Sequence, residues 1–188
     1  MYAALSALAA AVAGFLYAVA FVVLKNPSLS ALLLALSGLF ALPVMVALYA
    51  KLKQIDENFA LLALVLGIIG AVGYLTHGGY DLANVINPPS YISPDLPSQI
   101  DPRGLLAFGV SGVAILKFSW LAQKSKLFPN GFSTLGLLSG LLLVVIYLAR
   151  LTVLSPASSV LLYPVLAEGF VVNPIWYLWL FKVLRDKR

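Results

Sequence analysis

This 188-residue chain has one histidine, seven acidic and twelve basic residues, and what it can do chemically depends on where those few fall. Glu168 stands out. It lies about eleven residues into a long apolar run, or about 16 Å at 1.5 Å per residue. An unpaired charge at the centre of a bilayer costs at least about 2.5 to 3.5 kcal/mol. Such a carboxyl is either a proton or cation site, or an anchor for a polar substrate group, or it is paired or protonated and fixes helix packing. Lys117, about thirteen residues into another run, is placed to reach a similar depth and neutralise it. Arg150, near the end of a third run, is an alternative partner. Both cations have long stems within a few turns of a helix end, so each also suits snorkelling to the nearest interface.

A second polar concentration runs from His77 to Asn87. His77, Asp81 and Asn84 are spaced i, i+4 and i+7, so they share a face if the helix continues through them. Asp81 would then orient the imidazole and make it a base or a pH-sensitive donor. Gly78 and Gly79 fall between the two and weaken a helix by about 1 kcal/mol each. The expectation is therefore a surface-facing helix end. Asn173 adds one more polar group beyond Glu168.

Other chemistry is excluded by what is missing. With no cysteine there are no disulfides, thiolate metal sites or cysteine nucleophiles. One histidine and scattered carboxylates do not supply the three or four ligands of a zinc site, and a bis-histidine haem held by this chain alone is ruled out by count. No serine stands in a nucleophile motif and no glycine pattern follows a strand to cradle phosphate. The expectation is no catalytic residue, no metal and no cofactor.

Membrane helices must position these residues. The chain is 62% hydrophobic and only 10% charged, with a mean hydropathy of +1.00, where soluble domains carry about a quarter charged residues. A span needs roughly 20 apolar residues. Six stretches qualify: residues 2–24, 29–50, 59–78, 104–121, 132–154 and 157–183. Their apolar character is continuous rather than alternating, which selects helices over a barrel. The predicted fold is all-α, a polytopic integral membrane protein with six transmembrane helices in one up-and-down bundle and a single domain over residues 1–188.

Local chemistry marks the boundaries. Asp101-Pro102 and Ser155-Pro156 each pair an N-cap acceptor with a proline in the first turn. Asn26-Pro27-Ser28 and Pro129-Asn130-Gly131 read as short turns. Lys51, Lys53, Lys124, Lys126, Lys182, Arg185, Lys187 and Arg188 gather on one side, against Lys25 and Arg103 on the other. Basic loops stay in the cytoplasm, which predicts a plasma-membrane protein with both termini cytoplasmic. Trp120, Trp176, Tyr177 and Trp179 near the same ends read as an interfacial belt. A pI near 9.5 then reflects topology and anionic membrane lipids, and excludes a nucleic-acid partner. The Ala-rich start has no Lys or Arg before Lys25, so it reads as a retained span rather than a cleaved signal.

Small-residue stripes mark where membrane helices approach. Ser6, Ala10, Gly14 and Ala18 recur on the first span, Gly67, Gly70 and Gly73 on the third, and Gly136 and Gly140 on the fifth. They serve a homo-oligomer interface such as a homodimer, a cavity wall, or ordinary packing inside a single bundle, and we favour packing. A Leu-Ser-Gly shared by Leu29–Val44 and Phe132–Val145 echoes the inverted repeats of transporters. Pro43, Pro164 and Pro174 interrupt the second and sixth spans. The Pro-rich loop at 79–103, carrying Asp95 and the apolar points Tyr80, Tyr91, Ile92 and Ile100, reads as a lid over the bundle mouth or a plain connector.

Two functional readings of different class follow. In the first, a cavity between spans three, five and six presents His77, Asp81, Arg150, Glu168 and Asn173 to a small amphiphile or ion for binding or transport, with Lys117 as a further candidate. In the second, the chain is a non-catalytic accessory or assembly subunit of a larger membrane complex, which its scarce reactive groups and small-residue faces would suit.

Overall fold

The computed structural model describes residues 1–89, 99–125, 127–153, 155 and 158–185, and every regular element among them is helical. Six helices are long and apolar enough to cross a membrane: α1 (Tyr2–Val23), α2 (Pro27–Leu52), α3 (Glu57–Ile86), α4 (Pro102–Lys124), α5 (Gly131–Thr152) and α6 (Ser159–Arg185). The chain is an all-α polytopic membrane protein. Tyr91, Ile92, Pro94, Asp95, Pro97, Lys126, Pro156, Lys187 and Arg188 lie outside the described residues.

The helix starts follow from side chains that accept the first free amides. Asn26 Oδ1 accepts from Leu29 N at 3.0 Å with Pro27 in the first turn, so α2 begins two residues before its expected start. Asp56 Oδ1 caps α3 in the same way through Phe59 N, also at 3.0 Å. The main correction is at the end of α3. It runs to Ile86, eight residues past the expected boundary, and the Pro-rich connection begins only there. Gly78 does not break it, because the missing side chain is where α2 fits: a Cβ at Gly78 would stand 2.5 Å from the Ala31 carbonyl oxygen and 2.6 Å from Ala35 N.

Close approaches fix the register. Gly38 meets Ala71 and Leu75, and Gly67 meets Met45; Gly70 meets Ser111 and Gly73 meets Leu106; Gly112 meets Gly140. Gly131 meets Trp179 and Gly136 meets Trp176. In every pair one number rises as the other falls, so neighbours are antiparallel. Gly14 lies against Asn173 and Ala18 against Gly169, which brings α6 back onto α1 and closes the ring. One end of the bundle therefore carries the termini, and the other carries the α3–α4 connection; we call these the terminal end and the far end. All three small-residue stripes are used in this packing, within the chain.

Three stretches are wound wider than the α-helical register. Val19–Val23, Leu105–Val110 and Glu168–Val172 are π-helical. Pro174 accounts for the third, since its ring would clash with the carbonyl four residues back in a regular helix and it has no amide to donate. Widening the turn relieves the clash, and Asn173 N bonds Glu168 O instead. Pro43 is carried inside α2 without interrupting it. The aromatic belt needs correction. Trp176 and Tyr177 are buried, with Trp176 stacked on Phe132 at 5.8 Å, while Trp120 stays exposed.

Candidate functional site

The far-end cluster is built on the start of α4. Arg103 (φ 59°) and Gly104 (φ 77°) both take left-handed backbone, turning the chain sharply after Pro102. Glycine is needed at the second because a Cβ there would collide with the Phe108 ring and approach Arg150 Nη1 at 3.3 Å. The sharp turn points Asp101 at amides deeper than a usual cap: Oδ1 accepts from Leu106 N at 2.8 Å and Oδ2 from Ala107 N at 3.1 Å. The same Oδ2 lies 3.1 Å from His77 Nδ1, across from α3.

His77 is 4% exposed, so the expected surface-facing helix end is corrected to a buried one. Its second nitrogen, Nε2, is 3.4 Å from Asp81 Oδ2 one turn on, as the i, i+4 spacing predicted. A neutral imidazole donates to one carboxylate only, whereas the imidazolium donates to both. Asp101 itself is fully buried. Burial alone would push its carboxyl up, but donors from His77, Leu106 and Ala107 outweigh that and hold it below the usual carboxylate range. Arg150 stacks on Phe108 at 5.3 Å. There it is within electrostatic reach of Tyr17, Asp101, Asp81 and Arg103. Tyr74 and His77 each pack in a T-shaped arrangement with the same ring, at 5.8 and 6.3 Å between centroids.

The second cluster is at mid-bundle. Glu168 opens the π-helical turn of α6 and is 4% exposed. Its Oε1 accepts from Ser139 Oγ at 2.6 Å and from Asn173 Nδ2 at 3.2 Å. Its Oε2 has no hydrogen-bond partner among the described residues. Neither proposed cation reaches it. Lys117 sits with Nζ 4.3 Å from the centroid of Phe59, in the first turn of α3 at the terminal end. Arg150 is held at Phe108. Tyr74 lies between the clusters, in electrostatic reach of both Glu168 and Asp101 and of Tyr17 and Tyr177.

Of the six residues singled out from the sequence, His77, Asp81 and Arg150 thus gather at the far end, Glu168 and Asn173 at mid-bundle, and Lys117 with neither. Sequence reasoning missed two partners. Asp101 was read only as a helix cap, and nothing local says that its carboxylate also meets a histidine 24 residues earlier. Ser139 belongs to the Leu-Ser-Gly noted as a repeat, and a hydroxyl at mid-span was the available signal. Among the described residues no group of three or more His, Asp or Glu is arranged to hold a metal ion.

Two apolar grooves of about 610 and 380 Å³ lie between α1 and α2, the first lined by Tyr2, Pro43 and Ile68 among others, the second by Leu5, Leu36 and Phe40 among others. Neither touches the polar clusters. The chain matches no protein-family model, no curated protein and no solved structure.

Proposed function

We propose that this multi-pass protein resides in the plasma membrane with both termini cytoplasmic and binds a proton at Glu168, reached from the outer face through the far-end cluster. The observation that carries this is Glu168 Oε2, a carboxyl oxygen buried at mid-bundle without a partner among the described residues. A lone carboxylate in a low-dielectric interior is relieved by taking up positive charge. A hard metal cation asks for about six oxygen ligands, and Glu168 and Ser139 supply fewer; a proton needs only one. The π-helical turn supports the reading, since such turns gather at functional sites. His77, Asp81, Asp101 and Arg150 offer ionisable groups at the far end, and Tyr74 lies between them and Glu168. The basic residues at the terminal end support the orientation.

An accessory-subunit role drew partly on the small-residue faces, and those faces are occupied by the chain's own helices. The test is infrared titration of the protein in lipid vesicles, together with proton flux into pyranine-loaded vesicles under a potassium-diffusion potential. Wild type gives a protonated-carboxyl band that changes with pH and a flux above that of empty vesicles. Glu168→Gln loses both. Equal flux in a folded Glu168→Gln protein would remove the reading.

A further inference from the structure

Two lysines and two aromatic rings form one stack where α3 and α4 meet at the terminal end. Lys117 Nζ lies 4.3 Å from the centroid of the Phe59 ring, Phe59 packs on Trp120 at 4.8 Å, and Lys124 Nζ lies 3.4 Å from the centroid of the Trp120 ring. Lys117, Trp120 and Lys124 are spaced i, i+3 and i+7 on α4, so they share one face. Phe59 supplies the α3 side. The face is open, with Trp120 38% exposed and Lys124 exposed as well. No other two cations among the described residues meet on one pair of touching rings; Lys53 and Arg185 rest singly on Tyr49 and Phe181.

Neither ammonium has an acidic partner among the described residues, where both ion pairs are made by His77. Asp56 and Glu57 precede Phe59, but Asp56 is spent on the Phe59 amide, and Glu57 is exposed and pairs with neither lysine. Two uncompensated cations on the edge of a membrane span attract whatever anion the bilayer offers. The geometry selects which. Lys124 ends α4, whereas the stem of Lys117 starts seven residues, or about 10 Å, deeper. A phospholipid presents acceptors at both depths, its phosphate above and its glycerol esters below. Beneath the stack Leu62 and Val113, 46% and 37% exposed, offer apolar surface to acyl chains. A zwitterionic headgroup fits less well, because it brings its own cation and the Trp120 face that a choline would take is already covered by Lys124.

We infer that Phe59, Lys117, Trp120 and Lys124 form a site for one anionic phospholipid in the leaflet at the terminal end, the two ammonium groups meeting its phosphate and glycerol esters. The site is independent of the proton-binding reading of Glu168, and the failure of either leaves the other in place.

The test places the full-length protein in vesicles of equimolar phosphatidylglycerol and phosphatidylcholine, with dibrominated acyl chains on one lipid or on the other. Bromine quenches an indole only at close approach, and the signal that disappears in Trp120→Phe is the share of Trp120. Brominated phosphatidylglycerol is expected to quench Trp120 more strongly than brominated phosphatidylcholine. The relative affinity behind that preference should fall about fivefold in Lys124→Gln and about fivefold again in Lys117→Met/Lys124→Gln. Lys51→Gln/Lys53→Gln removes the same charge from the same end and should keep it. Lys124 is exposed, so its single variant carries the test should the double one fail to fold. A preference lost as fully in the Lys51/Lys53 control as in the Lys117/Lys124 variant would overturn the site, since a diffuse surface potential acts that way. Equal quenching by the two lipids in wild type would overturn it as well, and binding of a polyglutamate peptide to those vesicles would then assign the lysines to an acidic protein instead.

Discussion

The far-end cluster and the mid-bundle cluster bury similar groups and treat them oppositely. At the far end the Asp101 carboxylate meets two backbone amides and an imidazole, and that imidazole meets a second carboxylate. At mid-bundle one oxygen of Glu168 and three neutral donors toward the terminal end have no partner among the described residues. Polar groups that tie helices together are satisfied by the chain, because an unpaired one would cost the fold. Groups left open at that cost are the ones placed to meet something else. The first region holds the start of α4 against α3; the second is the one to which we assign proton binding.

The largest effect that tests this contrast is at Asp101. Asp101→Ala leaves His77 and two amides buried without their acceptor, and should lower unfolding free energy by about 3 to 5 kcal/mol in detergent-micelle denaturation. Glu168→Gln, which removes no fully partnered charge, should change stability by less than about 1 kcal/mol. Comparable losses in the two would erase the distinction. The pH dependence sharpens it. The folded Asp101 value is depressed, so its contribution is complete above the unfolded carboxyl value of about 3.9 and is lost as pH falls through that value toward the lower folded one. The stability gap between wild type and Asp101→Asn should accordingly close as pH falls below about 4. A gap that stayed fully open at about pH 2 would show that the carboxylate is not what holds this end.

Gly104 comes next. Alanine there must take a left-handed backbone, at about 1 to 2 kcal/mol, and its methyl meets the Phe108 ring on which Arg150 and His77 rest. We expect a loss of about 1 to 3 kcal/mol in the same unfolding measurement. Gly79→Ala is the control. Nothing lies within 4 Å of its would-be methyl and its helix is regular, so the substitution should be neutral or stabilise by up to about 1 kcal/mol. If the two alanines behave alike, the far end is not built around that turn.

How far the sequence foretells these regions depends on the range of the interaction. Hydropathy and caps are local, and five of the six spans end within a few residues of their expected places. The third does not, because Gly78 reads as a helix breaker until α2 is seen filling the space it leaves. The i, i+4 pair of His77 and Asp81 is likewise legible, while the partners that decide each site, Asp101 for His77 and Ser139 for Glu168, are contacts across 24 and 29 residues. Trp176 and Tyr177 misled for the same reason. Aromatics near a helix end suit an interface equally well, and only the closing of α6 onto its neighbours turns these two inward.

Lys117 offers the smallest effect and the cleanest check on depth. Counting along each span placed it level with Glu168, yet it follows Pro102 by fifteen positions where Glu168 follows Ser159 by nine, a difference of about 9 Å along parallel helices. Its ammonium therefore belongs to the terminal end, where it rests on Phe59, and Phe59 in turn packs on Trp120 at 4.8 Å. A cation over an aromatic face at a partly exposed site contributes about 0.5 to 1 kcal/mol. Lys117→Met keeps the stem's apolar contacts and removes only the charge, so stability should fall by no more than that. Proton flux and the Glu168 carboxyl band should both match wild type. A change in that band would mean that Lys117 and Glu168 are electrostatically coupled after all, and would place a compensating charge beside the oxygen on which the proton-binding reading depends.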